Sequence, residues 1–399
     1  MKSNGAACIM RPMTDGAAYR RLRKKLDTLP IGFPKTVSGS DIRLLKRIFD
    51  PEGALVASFL DWRFSTAETV ERRITEAGIA DARLGLSLPV SGILRALAAR
   101  GAIIYRQKSD EYALLPLVVG MYEFQVGLLT REFVEDAFAY MREGFGLEFL
   151  ASGEQQTRII PVGESVRPEH RIATYDEFRA LITAAEGRIA VLPCICRKAK
   201  DLLGESCRHS DRRELCMAFR DYADTVVREG WGRAIGAEEA LELAELNQKE
   251  GLVLRPSNER EPQFLCACCD DCCGLIGIIK HAKRPADYVA SNYLARIEAA
   301  ACVGCGLCAE RCPMDAIVLD RRLEAKGRAY RTLAERCIGC GVCVGTCRKG
   351  AVELERKEHE RIPPRNTEDL MERLAATRAG PIKRLWRGVK AIAGIPVAR

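Results

Sequence analysis

The sequence predicts an α+β multidomain protein, and three observations carry that prediction. Residues 41–120 hold short segments with helical apolar spacing, then two strand-like segments about a polar turn. Residues 188–292 alternate strand-like and helix-like stretches and carry nine cysteines. Residues 302–347 repeat one four-cysteine pattern twice, and a short apolar segment follows each copy.

A chain of 399 residues has room for about two to four domains. Its 47% apolar and 29% charged residues are ordinary for a chain that folds in water, which excludes disordered and fibrous classes. No run approaches the roughly eighteen apolar residues of a membrane-spanning helix. Met1 to Met13 has no apolar core of signal-peptide length. Eighteen cysteines in so large a chain, most of them closely spaced, read as metal ligands rather than a secreted disulfide framework. A reducing cytoplasm is the expected compartment.

Residues 1–40 form a basic helical segment, with Arg20, Arg21, Arg23, Lys24 and Lys25 as a solvated helix face. In residues 41–120, Asp41 to Phe49 and Gly53 to Trp62 read as short amphipathic helices. Ser65-x-x-Glu68 reads as a capping box ahead of Val70 and Ile74, with Gly78 at the stop. Pro89 to Arg100 reads as a further helix, buried through Ile93, Leu94 and Leu97 and closed by Gly101. Ala102 to Tyr105 and Tyr112 to Leu115 then flank the turn Gln107 to Glu111. Helices followed by such a hairpin resemble a winged helix. DNA is not the favoured partner, because the candidate recognition helix offers only Ser91, Arg95 and Arg100, with no Asn, Gln or Lys for base edges. On the hairpin, Arg106 and Lys108 suit phosphate no better than any exposed pair.

Residues 121–187 read as a helical connecting region. The apolar stretch Leu114 to Val119 leads into it, and a helix from Thr130 to Met141 buries Val134, Ala137, Phe138 and Met141.

Residues 188–292 read as a cysteine-rich α/β domain. Arg188 to Pro193 is a strand that delivers Cys194. Leu215, Phe219, Tyr222 and Val226 recur at helical spacing, which predicts Cys216 in the first turn of a helix. Ala237 to Glu250 is a second helix ended by Gly251, and Leu252 to Leu254 a return strand. The cysteines fall into an upstream set, Cys194, Cys196, Cys207 and Cys216, and a downstream set, Cys266, Cys268, Cys269, Cys272 and Cys273. Nine thiols in tight subgroups exceed what packing explains, so all nine are candidate metal ligands. The upstream four suffice for one cluster or one zinc, and the downstream five hold another or complete the first. An additional [4Fe–4S] cluster is favoured over zinc, although thiolate sets serve both. His209, two residues after Cys207, is an alternative ligand.

In residues 293–357, the runs are Cys302-x2-Cys305-x2-Cys308-x3-Cys312-Pro313 and Cys337-x2-Cys340-x2-Cys343-x3-Cys347. This is the binding pattern for two [4Fe–4S] clusters. Zinc sites pair two ligands, then a long spacer, then two more, which fits these runs poorly. Gly304, Gly306, Gly339 and Gly341 stand between the ligands, where the backbone must come close and adopt positive φ. Pro313 suits the first turn of a short helix. The segment resembles a bacterial-type two-cluster ferredoxin domain, which implies a (βαβ)2 fold. The resemblance also implies crossed ligation. One cluster takes Cys302, Cys305, Cys308 and Cys347, and the other takes Cys337, Cys340, Cys343 and Cys312. Arg348 replaces the second proline of that family. Taken with Pro193-Cys-x-Cys-Arg197 and the downstream set, residues 41–357 resemble bacterial iron–sulfur proteins described only as 4Fe–4S ferredoxin-like.

Residues 358–399 read as a linker with Pro363-Pro364 and an amphipathic helix, Pro381 to Ala393. Ile382, Leu385, Trp386, Val389 and Ile392 share one face, and Lys383, Arg384, Arg387 and Lys390 the other. That helix suits peripheral membrane contact or docking onto protein.

Each four-iron core with four thiolates carries a formal charge of about −2, so two of them take the net +8 down to about +4. The basicity therefore argues weakly for nucleic acid. The leading expectation is an electron-transfer protein working with redox partner proteins, more a carrier or oxidoreductase subunit than a stand-alone catalyst. The alternatives are a redox-sensing winged-helix regulator, or an oxidoreductase binding substrate at an open iron in the Cys266–Cys273 group. No dinucleotide fingerprint, P-loop or Ser-His-Asp set is visible. His170, His209, His281 and His359 are scattered along the chain.

Overall fold

The computed structural model describes residues 15–78, 86–162, 176–320 and 329–396. The expectations for Met1–Met13, Cys8 and His170 lie outside the described residues. Two compact units make up the chain, Met1–Met121 and Tyr122–Arg399. No described helix is long and apolar enough to cross a membrane.

In the first unit, α1 (Asp15–Leu26), α2 (Ser40–Ile48) and α3 (Pro51–Ala57) precede β1 (Ser65–Thr66) and α4 (Ala67–Glu76). Then come α5 (Val90–Ala99) and the hairpin β2 (Ile103–Arg106) and β3 (Glu111–Leu114), with β1 pairing on β3 to give the order β1-β3-β2. Asp50 caps α3 by accepting the Gly53 N–H at 2.7 Å, and Pro51 takes the first helical position. The helix stops at Ala57, short of the expected Trp62. The α4 cap is Thr66, which accepts from Thr69 N, rather than Ser65. Ser65 is instead pinned in β1 opposite Tyr112. The basic run of α1 is mostly solvated, except that Arg21 lies over the Phe59 ring at 4.3 Å and donates to Ser58 Oγ.

The second unit opens with α6 (Arg131–Tyr140), α7 (Gly146–Ala151) and α8 (Phe178–Ala184). A sheet region follows: β4 (Ile189–Pro193), α9 (Ile195–Leu202), β5 (Glu214–Phe219), α10 (Arg220–Arg228), β6 (Arg233–Ala234), α11 (Ala237–Lys249), β7 (Val253–Pro256) and β8 (Phe264–Cys268). These five strands run in the order β6-β4-β5-β8-β7 with every pairing antiparallel, so this region is α+β rather than the expected α/β type. One face is packed with Val191, Met217, Phe219, Leu254 and Leu265 against α8 and α11.

Cys216 lies within strand β5, which corrects the expectation of a helix. Leu215, Met217 and Phe219 are fully buried and alternate at period two, and β4 and β8 complete the ladder on both sides. Helix α10 starts only at Arg220. Residues 215 and 219, four apart, satisfy a helical and a strand period alike, and the flanking strands settle the choice.

After α12 (Gly274–His281), β9 (Tyr293–Ile297) pairs with β12 (Val352–Arg356), and β10 (Ile317–Leu319) pairs with β11 (Tyr330–Thr332). The short helix α13 (Leu307–Glu310) precedes Cys312. Pro313 opens a turn and not a helix, because only four residues separate Cys312 from β10 and Asp315 takes φ 50°. Residues 342–350 form turns in place of a second helix. Two helices close the chain, α14 (Thr367–Thr377), capped by Asn366, and α15 (Pro381–Ala393). On α15, Gly388 packs on Leu147 and Arg384 pairs with Glu148 at 2.8 Å. Its apolar face, with Ile382, Leu385, Trp386 and Ile392, stays exposed.

Candidate metal centres

The first three cysteines of the second run and the last cysteine of the first run meet in one cavity. Cys312, Cys337, Cys340 and Cys343 line it, together with Ala295 and Ile317. Burial pushes the Cys312, Cys340 and Cys343 thiols up, as expected of a dry pocket whose ligands ionise only against a metal. Cys308 lies beside Cys302 and Cys347, and Cys305 stands exposed on the same loop. Cys312 thus lies among the cysteines of the second run and Cys347 beside those of the first, the placement that crossed ligation requires.

Backbone geometry in this region fits sulfur-bound clusters. Ala316 N donates to Cys312 Sγ and Ala351 N to Cys347 Sγ, both at 3.3 Å, so the two runs carry matching amide–sulfur bonds. Ala295 N donates to Cys337 Sγ at 3.4 Å. Such bonds stabilise thiolate and raise a cluster's potential. Gly304, Gly306, Gly339 and Gly341 all take positive φ, between 69° and 81°. At Gly339 a Cβ would collide with the Tyr293 carbonyl oxygen, so only glycine fits there.

The nine middle cysteines divide differently from the upstream and downstream sets of the sequence. Six form a ring in which each sulfur interacts with two neighbours: Cys194, Cys196, Cys273, Cys268, Cys266, Cys216 and back to Cys194. The sheet builds half of it. Met217 pairs with Leu265, which sets Cys216 beside Cys266, and Cys268 follows two residues on along the same face. Cys194 caps α9 and Cys273 caps α12. Hydrogen bonds between neighbouring sulfurs hold Cys194 and Cys273 low and push Cys196, Cys216 and Cys266 up. Six adjoining thiolates repel one another unless cations lie among them.

Two buried donors face this ring. Arg255 pairs across the sheet with Cys266 and lies near Cys268 and Cys273. Its Nε donates to Thr157 at 2.7 Å, while its buried Nη1 has no partner among the described residues. Tyr122, near Cys194, Cys196 and Cys273, buries a hydroxyl that likewise has none. An orphaned guanidinium N–H and an orphaned phenol beside six sulfurs suit an anionic, sulfide-bearing group.

The other three middle cysteines form a second set, packed in the same buried cluster as Cys194. Cys207, Cys269 and Cys272 converge with Asp271. Arg197, only 1% exposed, donates to Cys207 Sγ at 3.3 Å, Cys269 Sγ at 3.4 Å and the Ala267 carbonyl at 3.2 Å. His209 bonds Asp270 at 2.8 Å, and Lys280 holds the other Asp270 oxygen at 2.7 Å, so His209 orients the loop beside this set. In Cys268-Cys269-Asp-Asp-Cys272-Cys273 the outer pair joins the ring and the inner pair joins Cys207. Sequence reasoning missed Arg255, Tyr122 and Asp271. Asp271 had a readable signal in its place between two ligands, whereas Arg255 and Tyr122 enter only through strand pairing and packing.

On the first unit, the candidate nucleic-acid residues are engaged locally. Arg95 stacks on Tyr105 and pairs with Asp110 at 3.1 Å, Arg100 pairs with Asp50 at 3.3 Å, and Arg106 covers the Phe64 ring. Of the described histidines other than His209, His281 and His359 are exposed.

Residues 301–361 match the 4Fe-4S dicluster domain family. Neither the curated proteins nor the solved structures give a match to the chain. With both cysteine runs inside the matched segment, the chain carries a C-terminal ferredoxin-type domain suited to iron–sulfur clusters and to electron transfer.

Proposed function

We propose that this protein is a multi-centre electron carrier, with two [4Fe–4S] clusters in residues 293–357 and a further iron–sulfur cluster in the six-cysteine ring. The crossed sets Cys302, Cys305, Cys308, Cys347 and Cys337, Cys340, Cys343, Cys312 would hold the first two. Four thiolates suffice for a third such cluster, and the ring of Cys194, Cys196, Cys216, Cys266, Cys268 and Cys273 would supply them. Bound clusters supply one-electron storage. The chain's own residues shield them from water, supply N–H donors to sulfur and, through Arg255, offset their negative charge.

The observation that carries this reading is helix α12. It begins at Cys273 of the ring, and its last turn bears Lys280, which reaches Asp315 at 3.6 Å beside the Cys312 loop. Arg336 ties the same junction, donating to the Met314 carbonyl at 2.8 Å and to the Lys280 and Ala282 carbonyls. Eight helical residues span about 12 Å, a separation over which electrons tunnel through protein without an intermediate carrier.

The order helix, helix, strand, helix, helix, hairpin in residues 40–114 supports a winged-helix-like unit. With Arg95, Arg100 and Arg106 engaged at home, it is read as a protein-docking module rather than a DNA reader. The exposed apolar face of α15 offers a second surface to a redox partner or membrane.

The test is anaerobic purification, iron and sulfide counts, and a redox titration followed by EPR. About twelve irons, falling to about eight in a Cys216→Ala, Cys266→Ala double variant, is the expected result. A native count of about eight would remove the third cluster, and little iron at all would remove the electron-transfer reading.

A further inference from the structure

We propose that Cys207, Cys269, Cys272 and Asp271 bind a single zinc ion, separate from every iron–sulfur cluster. Spacing carries the inference. The four donor atoms all lie within 4.8 Å of one another. Cys207 Sγ is 3.8 Å from Cys269 Sγ and 3.8 Å from Asp271 Oδ1. A tetrahedral ion with metal–sulfur bonds of about 2.3 Å sets its ligands about 3.8 Å apart. A four-iron cubane sends each thiolate to a different iron, so its ligand sulfurs stand farther apart.

The surroundings are built for one closed ion. Cys207, Cys269 and Cys272 are buried, as structural zinc ligands are. Asp271 is held in place because its Oδ2 accepts the Arg208 N–H at 2.7 Å, which leaves Oδ1 turned toward Cys207. Zinc with three thiolates and one carboxylate carries a net charge of −2. Arg197 meets that charge with hydrogen bonds to two of the sulfurs. Its main counter-charges are sulfurs, Cys194 of the neighbouring ring together with Cys269 and Cys207. The role is structural. The ion would fasten the long loop between α9 and β5, which carries Cys207, to the end of strand β8. This inference does not depend on the electron-transfer reading.

The test uses the full chain purified anaerobically, with zinc and iron measured in the same sample by mass spectrometry. About one zinc per chain is expected, lost in Cys207→Ala with the iron count unchanged. Cobalt(II) exchanged into the site should give the intense visible bands of a tetrahedral thiolate centre. In Asp271→Cys, which keeps four donors, those bands should shift to the all-thiolate pattern. A zinc-free protein that takes up no cobalt would overturn the assignment. So would a loss of about four irons in Cys207→Ala, or a cobalt spectrum unmoved in Asp271→Cys.

Discussion

Replacing Arg197 by methionine gives the sharpest test of the paired-charge design in the middle region. The guanidinium is buried and donates to Cys207 Sγ and Cys269 Sγ. With metal bound, both sulfurs are thiolates, and each charge-assisted bond is worth about 1.5–3 kcal/mol. Losing both costs about 3–5 kcal/mol, the usual penalty for breaking a buried ion pair. Without metal the Cys269 thiol is pushed up by its Cys272 neighbour and by burial, so the arginine loses part of its counter-charge and methionine costs less there. The substitution therefore destabilises the metal-bound form selectively, and zinc affinity should fall by about two to three orders of magnitude. Competition against a chromophoric chelator measures this directly. Arg197→Lys, which keeps the charge but loses the two-pronged geometry, should fall between the two. An Arg197→Met protein that binds zinc as tightly as the parent would refute the charge-pairing argument. Arg255→Met serves as the control, because it should alter iron retention and leave zinc in place.

Crossed ligation predicts a specific pattern of non-additivity. Adding Cys347→Ala to Cys302→Ala should remove no further iron, whereas adding it to Cys340→Ala should empty both ferredoxin sites, and the reverse pattern would mean each run keeps its own cysteine. Gly339→Ala should lose about four irons, because its Cβ meets the fixed Tyr293 carbonyl and φ is 69°; full iron content in that variant would show that the loop adapts. Burial pushes the Glu259 carboxyl up to about 7 from an ordinary 4.5. The folded state then keeps a proton that the unfolded chain has lost. Stability should decline as pH rises from about 4.5 through about 7, by about 3 kcal/mol in all. Glu259→Gln should flatten that part of the slope and stabilise the protein near pH 8, read by anaerobic native-state proteolysis; identical pH profiles would disprove the coupling.

The ferredoxin segment was legible because its chemistry is local. Three candidate ligands of each run sit on one tight loop, so spacing alone names them, and the glycines between them do take positive φ. The strand leading to Cys194 and the final helix, Pro381 to Ala393, were equally readable from short-range pattern, Pro381 at the start and Gly394 at the end. Cys216 was misread because a six-residue strand buried between two others can mimic a helical face. Ser65 was read as a cap because no local rule reveals its pairing with Tyr112 across the sheet.

The sequence by itself singled out seventeen cysteines as candidate metal ligands. Tertiary structure alone decided how they are shared. Strand register sets Cys216 beside Cys266 and brings Arg255 alongside, and the turn after β8 sends Cys268 and Cys273 one way and Cys269 and Cys272 the other. Cys268 ends strand β8 while Cys269, Cys272 and Cys273 follow in the turn, so the path of that turn parts the adjacent cysteines between the two sets. Which face meets which partner depends on pairings between residues far apart in the chain, and no local spacing encodes those.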